Sequence, residues 1–206
     1  MDPYIITSMV GQTIDEIDAP TACNIMIDIL EVLEDLHGHN YIHNDIQPGN
    51  IVKVGDKFRL IDFGLAAPIH NTRDIAPRSF PKGHIIFASH NWGKYLGAGD
   101  DLEALCYTVA FMHNRRKGYW EAVHRDPLKA LTKKTIQKAS GIFNGLPNTF
   151  QKFFSYVYDL DITATPDYKD WHRQFILAAD LPSSPKKRPH KMSQKSEGNP
   201  RRRLQV

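Results

Sequence analysis

Cysteine is scarce: the chain of 206 residues has two, Cys23 and Cys106, far apart in sequence. That excludes a disulfide scaffold, and buried thiols in two separate helices are the expectation. Neither thiol is placed to act as a nucleophile. Lysine and arginine are missing altogether from residues 1–52, and only Gly11 and Gly38 precede residue 43. This excludes from the first quarter of the chain both a glycine-rich loop folded over a phosphate and a lysine to pair with it. No apolar run approaches the roughly 20 residues that a membrane-spanning helix requires, and Met1-Asp2-Pro3-Tyr4 lacks the basic start of a secretory leader. An intracellular protein, cytoplasmic or nuclear and without a transmembrane segment, is expected.

What is present fits an ordinary globular protein, with 41% apolar and 24% charged residues. The length suits one sizeable core, or one domain with a tail. The formal charge of +3 averages two unlike parts: from Pro182 onward eight Lys or Arg stand against Glu197, giving +7, so residues 1–181 carry the remaining −4. The basic stretch contains Pro185-Lys186-Lys187-Arg188-Pro189 and Arg201-Arg202-Arg203. Such clusters attract nucleic acid or an acidic surface, or act in nuclear import, and a solvated disordered tail is the alternative. Residues 1–181 are read as the folded unit and 182–206 as the tail.

Ile25, Ile29, Val32, Leu33 and Leu36 recur at steps of three and four, which predicts a helix over residues 20–36 with Pro20 in its first turn and Gly38 at its end. Residues 50–54 and 57–61 flank Gly55-Asp56 and predict a β hairpin. Residues 100–112 are apolar over most of their faces, as in a buried central helix, with Asp101 at its start to satisfy free amides. Further helices are expected over 127–140, 147–158 and 167–179, and a short β-prone segment over 4–7.

Two polar loops bracket the hairpin. One is His43-Asn44-Asp45-Ile46-Gln47-Pro48-Gly49-Asn50, the other Asp62-Phe63-Gly64, and together they resemble the catalytic loop and the metal-binding turn of protein kinases. Ala88-Ser89-His90-Asn91 with Leu96-Gly97, then Asp100-Asp101-Leu102-Glu103-Ala104-Leu105, then Leu146-Pro147 with Pro166-Asp167-Tyr168 extend the likeness. They resemble the casein kinase 1 and vaccinia-related kinase group over roughly residues 4–181. The resemblance implies a fold that is mainly α with a small β hairpin: a protein-kinase-like C-terminal lobe whose N-terminal lobe is absent. Residues 1–11 would be the last N-lobe strand and the hinge.

The same resemblance implies roles. Asp45 would orient a Ser or Thr hydroxyl and accept its proton, with Gln47 beside it at a catalytic position, and Asn50 and Asp62 would hold Mg²⁺. Backbone at Met9, Val10 and Gly11 would hold the adenine of ATP. His43 would support the loop by packing, and Asp101 would hold its backbone. His84 and Ser89 would lie on the substrate side. His37, His39 and His43 also raise a metal reading, which their scattered placement and the lack of a nearby cysteine oppose.

Three positions depart from the family pattern. Gln47 stands where a lysine touches the γ-phosphate, His84 where a threonine links that lysine to the catalytic aspartate, and Asn44 where an arginine reads a phosphorylated segment. The implied activity is ATP-dependent phosphoryl transfer to protein Ser or Thr, with ATP and Mg²⁺ as cofactors. The departures and the missing lobe weigh against autonomous turnover and leave a second reading open, a pseudokinase-like binding or decoy module in which nucleotide binding is weak or lost. The expected partner is a protein substrate, or a protein covering the hinge-side surface.

Overall fold

A computed structural model of the chain describes residues 11–69, 83–91, 96–114 and 141–180. The elements run β1 (Gln12–Thr13), α1 (Ala19–Gly38), β2 (Tyr41–Ile42), β3 (Ile51–Val54), β4 (Lys57–Leu60), β5 (Ala67–Pro68), α2 (Ala98–His113), α3 (Asn148–Tyr158) and α4 (Tyr168–Ala179). The expected segments over 4–7 and 127–140, the hinge positions Met9 and Val10, and the basic tail lie outside the described residues.

Helix α1 begins where Asp18 accepts a hydrogen bond from the Thr21 amide at 2.9 Å, with Pro20 in the first turn, where its missing N–H costs nothing. Of the predicted stripe Ile25, Ile29 and Leu33 are buried and Val32 and Leu36 half-buried, and the buried face extends further, to Ala22, Cys23, Met26 and Leu30. Asp28 lies in that face. Its carboxylate accepts from the Phe58 amide at 2.8 Å and from Lys57 Nζ at 2.7 Å, so one buried acid docks the β3–β4 hairpin onto the helix. The chain leaves α1 through Asn40, which takes the left-handed conformation (φ 61°), so that role falls to an asparagine and not to Gly38.

The β content exceeds expectation. Strand β1 joins the hairpin as a third antiparallel strand, in order β1-β3-β4, and β2 pairs with β5 in a second, two-stranded sheet. A mainly α fold with one small hairpin and no N-terminal lobe is therefore the wrong description. The N-terminal part of the chain is β-bearing, with five strands between Gln12 and Pro68. The reason for the miss is physical: β1, β2 and β5 have two residues each, too few for an alternating pattern to register.

Helix α2 is buried on nearly every face, and α1 lies against both α2 and α4. Between α3 and α4 an aromatic cluster closes the core. Phe175 meets Phe150 and Phe153 edge to face, with ring centroids 5.0 and 5.4 Å apart, and Trp171 packs on Phe153. Cys23 and Cys106 are buried in α1 and α2, and burial pushes both thiols up, Cys23 to about 11, which leaves them unreactive. Among the described residues no helix is long and apolar enough to cross a membrane.

Candidate active site

The two sheets bring the polar loops together. Pairing of β2 with β5 and of β3 with β4 places residues 43–50 beside residues 61–66. The Ile61 backbone spans the junction: its N–H donates to the Asn50 carbonyl at 2.9 Å, and its carbonyl accepts from His43 Nε2 at 3.1 Å. His43 is fully buried. Its Nδ1 accepts from the Asp45 amide at 3.3 Å, so its two partners select the Nε2–H tautomer, and its ring meets Phe63 edge to face.

Asp101 anchors the loop from below. Its place at the helix start puts this carboxylate on the free amides of its own helix, whereas the resemblance has it hold the loop backbone, and in the structure it lies on the loop. Oδ2 accepts from the His43 amide at 2.6 Å and Oδ1 from the Asn44 amide at 2.9 Å, while His37 Nε2 bonds Oδ2 at 2.9 Å. Asp100 takes the helix-start position, accepting from the Gly97 amide at 2.7 Å. Asn44 itself is left-handed (φ 66°), a conformation asparagine tolerates, and its Nδ2 donates to the Leu65 carbonyl at 3.3 Å, tying one loop to the other.

Asp45 collects three donors. Oδ2 accepts from Gln47 Nε2 at 2.9 Å and from Asn50 Nδ2 at 3.0 Å, and Oδ1 accepts from the His84 amide at 3.2 Å. The contact from residue 84 therefore comes from its backbone. The imidazole accepts from the Ile86 amide at 3.4 Å and packs, tilted, against Phe87. Gly83 makes this approach possible. Its φ is +85°, and a Cβ there would lie 2.5 Å from the Asn44 carbonyl oxygen.

Ser89 lines the same pocket as Asp45 and His84, yet its hydroxyl is committed elsewhere, donating to Asp100 Oδ1 at 2.5 Å. Asn91 Nδ2 adds a bond to the same oxygen at 3.1 Å. Burial raises the Asp100 carboxyl to about 6, against the opposing pull of the Ser89 and Gly97 hydrogen bonds. Glu103, one turn on, accepts from the His90 amide at 3.0 Å, from His90 Nδ1 at 2.7 Å and from the Tyr107 hydroxyl at 2.7 Å.

Oxygen ligands suited to a hard cation are present at the junction. Asn50 directs its amide nitrogen to Asp45 Oδ2 and to the Asp45 carbonyl, which leaves its amide oxygen to serve as a ligand. Asp62 is exposed and left-handed (φ 62°), next to Ile61, which touches both His43 and Asn50. Its Oδ1 accepts from the Gly64 amide at 3.2 Å. An amide and a carboxylate oxygen fit Mg²⁺, which takes few protein ligands and draws the rest from water and phosphate. The histidines do not form a metal site. His37 bonds Asp101, His39 bonds the Asp35 carbonyl, and among the described residues no group of three His, Cys, Asp or Glu is placed to hold an ion.

The family model for the protein kinase domain matches residues 6–92. The chain is a distant homologue of protein kinases. It is 27% identical over 179 residues to casein kinase I homolog 2 of Saccharomyces cerevisiae, an alignment covering 78% of this chain and 32% of the relative. To casein kinase I homolog RAG8 of Kluyveromyces lactis it is 27% identical, covering 78% and 33%. To the probable serine/threonine-protein kinase FPV212 of fowlpox virus it is 26% identical over 173 residues, covering 74% and 54%. The chain spans about a third of the yeast relatives' length and about half of the viral one's. The kinase-domain match falls on the strand-bearing N-terminal half, which overturns the expectation of a fragment made of a C-terminal lobe alone.

In this kinase homologue, then, Asp45, Gln47, Asn50 and the His84 backbone converge, with His43 and Asp101 beneath them and Asp62 at the adjoining turn. Gly11 lies against β3, the strand that follows Asn50, where a Cβ would meet the Val52 side chain at 2.4 Å. Gly83, His37, Asp100 and Tyr168 were not singled out for the site by their sequence context. Gly83 alone carried a readable signal, as a glycine between a proline-rich stretch and His84.

Proposed function

We propose that the chain is a casein kinase 1-like homologue whose site is built for phosphoryl transfer from Mg-ATP to a protein Ser or Thr hydroxyl. The observation that carries this reading is the clustering of Asp45, Asn50 and the Asp62 turn around the Ile61 backbone. Asp45 receives the hydroxyl proton as the substrate oxygen bonds to the γ-phosphorus and the bond to the ADP oxygen breaks. Asn50 and Asp62 are the residues that hold Mg²⁺, which when bound neutralises charge on the phosphate oxygens. The amides of Gln47, Asn50 and His84 hold the Asp45 carboxylate in one orientation, and so position it before substrate arrives.

A second reading, a binding module without turnover, is favoured by one observation. Gln47 offers a neutral amide where developing phosphate charge calls for a cation, and that amide is already bonded to Asp45. A radiolabelled ATP assay on the purified chain separates the two. Incorporation into a protein substrate that disappears in Asp45→Asn supports the enzyme, and background equal to that of the variant supports the binding module. Calorimetric titration with Mg-ATP, compared with Asp62→Asn, reports the nucleotide site independently of turnover.

A further inference from the structure

His37 and Tyr168 are more than nine-tenths buried and lie on different helices, yet their side chains form one chain of contacts with Asp101. Tyr168 opens α4, and its hydroxyl bonds His37 Nδ1; on the far side of the ring, Nε2 bonds Asp101 Oδ2 at 2.9 Å. Burial, and next the Asp101 charge, push the Tyr168 phenol far above its ordinary range, so it keeps its proton and donates. Nδ1 then accepts, and the ring proton sits on Nε2, aimed at Asp101. That carboxylate accepts in turn from the amides of His43 and Asn44.

We propose that Tyr168 is a positioning residue for the loop that carries Asp45: its hydroxyl fixes the tautomer and orientation of His37, which completes the donor set of Asp101. A helix far along the chain thereby sets the backbone of residues 43 and 44. The start of α4 is itself held, since the Asp167 amide donates to the Tyr156 hydroxyl at 2.9 Å and Trp171 packs on Phe153. Movement of α4 is transmitted to the loop through one phenol and one imidazole. The consequence for phosphoryl transfer rests on the function proposed above, whereas the effect on His37 and the loop amides does not.

The test uses the full chain with ¹⁵N-labelled histidine, and Tyr168→Phe, which removes one oxygen. In the unaltered chain the His37 ring is expected as the Nε2–H tautomer with a hydrogen-bonded Nδ1. In Tyr168→Phe the Nδ1 resonance moves to its unbonded position or the tautomer changes. Hydrogen exchange at the amides of His43 and Asn44 rises at least about fivefold, as loss of a partner in a buried network requires. Tyr156→Phe, which loosens the same helix start without touching His37, leaves both signals in place. In a His37→Gln background, where a side-chain amide replaces the ring donor, adding Tyr168→Phe changes exchange by less than about twofold. Unchanged His37 resonances and exchange in Tyr168→Phe, or equal changes in Tyr156→Phe, overturn the proposal. Failure of the unaltered chain to transfer phosphate overturns the kinase reading alone, because the resonances and exchange rates report on Tyr168 whether or not phosphate moves. Where transfer is measured, Tyr168→Phe lowers kcat with KM for ATP retained.

Discussion

Asp100 gives the sharpest quantitative test. Replacing it with Asn removes a carboxyl that burial raises from an ordinary 3.8 to about 6. A carboxyl raised in the folded state binds its proton more tightly there than in the unfolded chain. Its contribution to stability is therefore fully present below 3.8 and lost as pH rises through about 6. Linkage with those two values gives a loss of about 1.4 kcal/mol between pH 5 and pH 7.5, toward a total of about 3 kcal/mol. Asn cannot titrate, so the stability of the unaltered chain minus that of Asp100→Asn must fall by about that 1.4 kcal/mol over the same interval. Urea unfolding of both proteins at the two pH values, with equal m-values, reads the difference directly. Carboxylates such as the half-buried Asp170, held low by Gln174 and Arg173, act in the opposite sense but cancel between the two proteins. A gap that stays constant, or widens as pH rises, refutes the assignment of a buried, proton-holding Asp100.

The other expectations concern the same region. Gly83→Ala forces a side chain onto a +85° backbone facing the Asn44 carbonyl. A loss of about 1–3 kcal/mol is expected in thermal or urea unfolding, with faster exchange of the His84 amide, and a variant as stable as the parent counts against the close approach. Phe175→Ala opens the aromatic cluster at a fully buried position and lowers stability by about 3–5 kcal/mol, measured by chemical denaturation; a loss under about 1 kcal/mol means that the cluster is not packed as described. Gln47→Lys supplies a cation beside Asp45. In the radiolabelled assay it raises turnover by about tenfold or more, and no gain with Mg-ATP binding intact argues for the binding module.

How much of this was readable from the residues depended on the length of each pattern. Helix α1 carries a stripe repeated over several turns, and α2 a nearly continuous apolar run, so both appear in the sequence at close to their observed bounds. The strands β1, β2 and β5 owe their existence to partners far along the chain and leave no local trace. The site shows the same division. Asp45, Asn50 and Asp62 sit in loops with recognisable spacing. The links from Asp101 to His43, from the His84 backbone to Asp45 and from Tyr168 to His37 span 58, 39 and 131 residues, and no local pattern encodes them; the resemblance implied only the first. Ser89 and His84 illustrate the limit: both line the pocket that holds Asp45, but the resemblance implied no partner for either side chain, and the Ser89 hydroxyl goes to Asp100 while the His84 imidazole takes the Ile86 amide.

The opening turns of α2 bury three carboxylates, Asp100, Asp101 and Glu103, each of which costs several kcal/mol to remove from water. Leu102, Leu105 and Val109 bind the helix to the core without them, and of the three only Asp100 also serves the helix start, at the Gly97 amide. What offsets the cost is a full set of three donors on each acid, drawn mostly from segments with no regular structure of their own. Asp101 holds residues 43 and 44, Asp100 holds residues 89, 91 and 97, and Glu103 holds residue 90. Apolar replacements would keep the helix and release those segments. Asp100 apart, whose proton also contributes to stability, stability and site geometry are thus separable along one helix. Changes at the leucines lower stability while the loops hold their register up to the unfolding transition. Changes at the acids displace the loops while the core persists, because it is the loops, and not the core, that the carboxylates bind.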